Sequence, residues 1–122
     1  MSDLVAFFSA RLDEDEAAAK AADGPPGSAE QLTVLVGSPD DVWAKVANEH
    51  IRLHDPKRAL REVDAKRKIL ALHGASIGGT WCVTCDPGSE VSGDAGAWYP
   101  CLTLRTLAAV WSGHPDYDPD WA

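Results

Sequence analysis

The sequence predicts a mainly α fold, a small helical domain of about four helices with a C-terminal loop region like a zinc knuckle and room for a short two-stranded β element. Three observations predict it. Apolar residues recur at spacings of three and four in separate stretches of the chain. Two of those stretches open on a capping residue followed by proline. Between the third stretch and the last, the texture changes to glycine, aromatic residues and cysteine. A length of 122 residues suits one modest core, so 1–122 is expected to be a single domain. Its parts are an N-terminal helix 3–22, a linker 23–31, a helical body 38–73, a cysteine-rich region 74–101, and a last helix with its tail 102–122.

The first helix is expected to start at a Ser2 cap and run to about Ala22. Leu4, Val5, Phe8 and Leu12 form one apolar stripe, and the alanine-rich turns after Glu16 keep helix propensity high. The segment 22–28, with Gly24, Pro25, Pro26 and Gly27, breaks it. Leu32–Val36 is rich in β-branched residues and reads as a short strand, for which Ile77–Val83 or the tract near Trp98 is the expected partner.

Ser38, Pro39, Asp40 and Asp41 signal the next helix, with Ser38 as cap and the acids at the positive end of the helix dipole. Trp43, Val46, Ala47 and His50 share one of its faces, with Ile51 beside them. Asp55 and Pro56 restart the pattern. The third helix should run from Pro56 to His73 with Leu60, Val63, Ile69 and Leu70 facing inward, and stop at Gly74. A last helix is expected over about Leu102 to Trp111, with Leu104, Leu107, Ala108 and Trp111 on one side. Pro115 and Pro119 keep the tail out of regular helix, while Tyr117 and Trp121 are placed to pin it to the body.

The chain carries a formal charge of −8, which disfavours bulk attraction to nucleic acid or to an anionic membrane. The charge is unevenly spread. Eight of the eleven basic residues and four of the nineteen acids fall between Lys45 and Lys68, so that stretch is +4 and the remainder −12. No segment reaches the roughly 20 apolar residues that span a bilayer. The acidic N-terminal stretch has the wrong charge order for a secretory signal. The expected compartment is therefore the cytoplasm, where an odd count of three cysteines argues against a disulfide framework.

Those cysteines are read first as a zinc site, with buried or redox-active thiols as the alternative. Cys82 and Cys85 have the C-x2-C spacing that lets two thiolates reach one ion from a tight turn. Cys101 stands just ahead of the last predicted helix, whose dipole favours a thiolate there. A closed structural zinc site takes four ligands, so a histidine is wanted. His73, at the end of the third helix, can swing onto the Cys82/Cys85 turn. His114 is the alternative, but a helix of about ten residues would carry it roughly 15 Å away from Cys101. His50 and His54 lie further back, on a helical face.

Catalytic signatures are missing. No H-x-E precedes a P-C-x-x-C as in zinc deaminases, and H-E-x-x-H is absent. The chain also lacks a P-loop, a G-x-S-x-G elbow and a G-x-G-x-x-G turn. An enzymatic role is disfavoured.

The chain resembles a family of small proteins of unknown function from actinobacteria and their phages. The residues that carry the resemblance are 3–7 and 10–16, His50-Ile51, His54-Asp55-Pro56, Leu60-Arg61-Glu62-Val63, Ala65-Lys66-Arg67 and the Cys82/Cys85 pair. Residues 100–105, His114-Pro115-Asp116-Tyr117 and Trp121 complete the set. The resemblance covers all but the stretch near 22–45 and implies a cytoplasmic protein of bacterial or phage origin. It assigns no activity.

Two functional classes follow. The first is a non-enzymatic adaptor or inhibitor, locked by structural zinc, that binds a protein partner. The second is a nucleic-acid-associated regulator using the basic helix 56–73, with Lys57, Arg58, Arg61 and Lys68 as contacts to an anionic partner and a salt-sensitive affinity. A metal-dependent hydrolase ranks below both, because no general base accompanies the metal motif.

Overall fold

Positions 4, 8 and 12 of the sequence are apolar at helical spacing, and the alanine-rich turns that follow favour helix. In the computed structural model, which describes residues 2–22, 42–85 and 98–122, this pattern forms α1, Ser2–Ala22. The other helices among the described residues are α2, Val42–Leu53, α3, Pro56–Leu72, and α4, Leu102–Ala108. Short 3-10 turns follow at Ala109–Trp111 and Pro119–Trp121. Four α-helices and no strand occur among the described residues. The expected strand at Leu32–Val36, the cap at Ser38 and the linker 23–31 lie outside them. Two isolated antiparallel bridges, Ala75 with Cys82 and Trp81 with Trp98, are present. No described helix is long and apolar enough to cross a membrane.

The chain divides into two compact units, one made of Met1–Leu12 with Ala65–Ala122, the other of Asp13–Asp64. Among the described residues, the first holds most of the buried apolar side chains. Leu4, Phe8 and Leu12 of α1 and Leu104 and Ala108 of α4 are fully buried, as are Cys82 and Cys101. Each large apolar side chain so buried contributes about 1.5–3 kcal/mol. Phe8 meets Trp111 with ring centres 5.3 Å apart.

The α1 stripe is wider than the sequence predicts. Phe7 and Arg11 are also buried while Val5 is only half-buried. The tail explains this, because Tyr117 and Trp121 pack their rings 5.8 and 5.2 Å from Phe7. Burial of Phe7 thus depends on residues more than a hundred positions away, which α1 periodicity alone does not contain.

In the second unit α2 ends in a tight turn, where the His54 N–H donates to the carbonyls of His50 and Ile51. Asp55 then caps α3, its Oδ1 accepting the Arg58 N–H at 2.6 Å. The Arg58 guanidinium donates to the Leu53 carbonyl and to Glu62, which ties the end of α2 to the start of α3. Val63 is buried, while Leu60, Ile69 and Leu70 are half-buried. On the face that Val46, Ala47 and His50 share in α2, Val46 and His50 are exposed and Ala47 is half-buried. α4 is shorter than predicted because its last turn tightens to 3-10 at Ala109–Trp111.

Candidate metal centre

α3 ends where the sequence turns to Gly74, and His73 extends its last turn through an N–H bond to the Ile69 carbonyl. The chain then reverses. Gly78 and Gly79 take φ of +97° and +76°, a left-handed conformation that costs glycine nothing and side-chain-bearing residues more. The arms of this turn are held by the Ser76 N–H on the Trp81 carbonyl at 2.7 Å and the Val83 N–H on the Gly74 carbonyl at 3.0 Å. The Thr84 hydroxyl donates to the Leu72 carbonyl. Together these bonds fold Cys82 and Cys85 back onto the end of α3.

A second return brings in Cys101. The Tyr99 N–H donates to the Thr80 carbonyl, and Trp81 and Trp98 pack with ring centres 4.3 Å apart. The Tyr99–Pro100 peptide is cis. Cys101 is the cap residue of α4, yet its side chain makes no capping bond, which leaves the sulfur to face the cluster.

The outcome is a set of four ligand atoms, from His73, Cys82, Cys85 and Cys101, all within 4.8 Å of one another. His73 Nδ1 stands 3.4 Å from the Cys82 sulfur, 3.5 Å from that of Cys85 and 3.5 Å from that of Cys101. A single ring nitrogen offers one proton or one lone pair, so three equal hydrogen bonds do not account for this symmetry. A tetrahedron built on metal–sulfur bonds of about 2.3 Å and a metal–nitrogen bond of about 2.0 Å has nitrogen–sulfur edges of about 3.5 Å. The observed edges fit it. The cysteines are free of disulfides, and the donor set could hold a metal ion.

Cys82 and Cys101 are buried and Cys85 is exposed. Burial pushes the Cys82 thiol up, yet the backbone N–H groups of Cys85 and Thr84, with the Cys101 and Cys85 thiols, hold it below its ordinary value. Cys85 moves the other way, to about 11. Desolvation within the cluster contributes most, followed by hydrogen bonds and negative charge from Cys101 and Cys82. Burial, with the charge of Cys82 and Cys101, also raises the Tyr99 hydroxyl.

His114, the alternative ligand, sits elsewhere. Its ring lies 5.7 Å from Phe7 in an edge arrangement. Arg11 Nη1 stands 2.6 and 2.8 Å from its two nitrogens, and the Asp116 N–H donates to its Nδ1 at 3.1 Å. Arg11 itself is buried beside the Phe7 ring and 3.8 Å from the Asp116 carboxylate. The sequence places Tyr117 and Trp121 to pin the tail to the body, but it does not point to Arg11 as part of that clasp. The one signal at Arg11 is a basic residue inside an apolar stripe. Of the basic residues on α3, Lys57, Arg61 and Lys68 are exposed, whereas Arg58 is half-buried and paired with Glu62. Lys66 covers the Trp111 ring at 5.2 Å.

No curated protein and no solved structure matches the chain. A family model does, over residues 1–122, a span that takes in all four candidate ligands and the Arg11–His114 clasp. The chain belongs to that family, DUF6221, a family of unknown function.

Proposed function

We propose that His73, Cys82, Cys85 and Cys101 bind a structural zinc ion through a knuckle-like loop, and that the protein is a non-enzymatic cytoplasmic adaptor or inhibitor that works by binding a protein partner. The observation that carries the zinc reading is the near-equal distance from His73 Nδ1 to three sulfurs. Three thiolates and one imidazole form the soft, four-donor set that zinc takes in closed sites. With four protein ligands no position is left for an activated water, so this set favours a structural role over a hydrolytic one. The partner-binding role is the class that remains when catalytic signatures are missing.

The test is the metal content of untagged protein prepared without added metal, beside a Cys101→Ser variant. One zinc per chain, lost in the variant together with thermal stability, supports the structural site. Well-folded protein without metal overturns it. Capture of a defined partner by the zinc-bound chain supports the second half of the proposal, and clean failure against native lysate counts against it.

A further inference from the structure

The second unit contains a histidine pair that neither the cysteine cluster nor the helix interior uses. His50 and His54 stand four residues apart on the last turn of α2 and its exit, both exposed, with ring centres 4.5 Å apart and planes 37° from parallel. Positions i and i+4 share one helix face, which is how paired histidines chelate a metal from a helix. A metal about 2.1 Å from one nitrogen of each ring, at about 90° between them, places the ring centres about 4.5 Å apart. The observed separation therefore suits two adjacent positions of a square or octahedral ion.

The neighbouring carboxylates are otherwise engaged. Glu49 accepts two bonds from Arg52, at 2.6 and 3.0 Å, and Asp55 caps the Arg58 N–H. The two imidazoles then provide the donors, leaving the other coordination positions to water. We infer that His50 and His54 form an exchangeable surface site for a divalent late transition-metal ion, separate from the His73 cluster and independent of it. Imidazole donors and an open tetragonal geometry point to ions of the nickel and copper type.

The probe is Ni2+, titrated into untagged full-length protein already loaded with zinc and cleared of excess metal. Calorimetry should show one added Ni2+ per chain, and nuclear magnetic resonance should show paramagnetic broadening centred on the rings of His50 and His54. His54→Gln and His50→Gln each remove one arm of the chelate, and the loss of its effective concentration should weaken Ni2+ binding on the order of 10²-fold. Zinc content should not change in either variant, so this outcome is separable from failure of the cysteine site. Val46 is exposed and lies four residues before His50. Adding Val46→His to His54→Gln recreates the spacing and should restore Ni2+ affinity, which a merely structural role for His54 would not allow. Unchanged binding in the single variants, dependence on one histidine alone, or Ni2+ taken up only with loss of zinc would each overturn the inference.

Discussion

His73 Nδ1 lies 3.5 Å from the sulfur of Cys101, a residue twenty-eight positions further along the chain. Two chain reversals place the pair together, and a bound ion would join the end of α3 to the start of α4 through them. Replacing His73 with Ala should therefore remove a metal ligand and lower zinc occupancy along with stability. His114→Ala should leave one zinc per chain. It deletes only ring and hydrogen-bond contacts with Phe7, Arg11 and Asp116, which are worth about 1–2 kcal/mol. Metal analysis with thermal melts of the two variants checks the assignment, and loss of zinc in the His114 variant alone would reverse it.

Metal uptake should release protons. The ion takes thiolates, so any thiol still protonated at the working pH gives up its proton on binding. Cys85, raised to about 11 in the metal-free chain, is protonated throughout the neutral range. Cys82, held below its ordinary value, ionises at lower pH and stops competing earlier. Affinity should rise with pH, Cys85 alone contributing about tenfold per unit until its own value is passed. Calorimetry in buffers of different ionisation enthalpy counts the protons. An affinity independent of pH between neutrality and pH 9 would contradict this assignment of the thiols.

The sequence carries strong local signals at some of these positions and none at others. Asp55 and Pro56 mark the start of α3 because capping and a first-turn proline are local requirements, and both residues are found in those roles. The convergence of His73 with Cys82 and Cys85 follows from similar local facts. A helix ending at Gly74 leaves only a short loop before Cys82. Arg11 and Phe7 are different. Their burial is created by the tail, and a helix pattern read alone places an arginine in solvent. The outward position of Val46 has the same origin, since an amphipathic face states what a helix can bury and not whether another element covers it.

The tail clasp should be separable from the metal. Trp121 packs against Phe7 and Tyr117 with ring centres 5.2 and 5.4 Å away, and it remains half-exposed. Trp121→Ala should cost about 1–3 kcal/mol, less than a fully buried aromatic residue, whose loss costs about 3–5. Phe8→Ala, at a fully buried site, should reach that larger range. Chemical denaturation of both variants at fixed zinc concentration gives the ordering, and equal losses would mean that the tail packs more tightly than its exposure indicates.

Leu104 tests whether the core and the metal site act as one structure. It is fully buried, one turn beyond Cys101 on a helix of only seven residues. A helix so short has little stability of its own, so α4 has one anchor in the burial of Leu104 and Ala108 and would gain a second from an ion bound to Cys101. Leu104→Ala should cost about 2–5 kcal/mol in zinc-bound protein. If either anchor is needed to keep α4 formed, removing the second after the first costs less than it does in the parent chain. A double-mutant cycle of Leu104→Ala with Cys101→Ser should then show a coupling of about 0.5–3 kcal/mol. Strict additivity would mean that Cys101 is held in place without α4, and that the ion stabilises the loop rather than the helix.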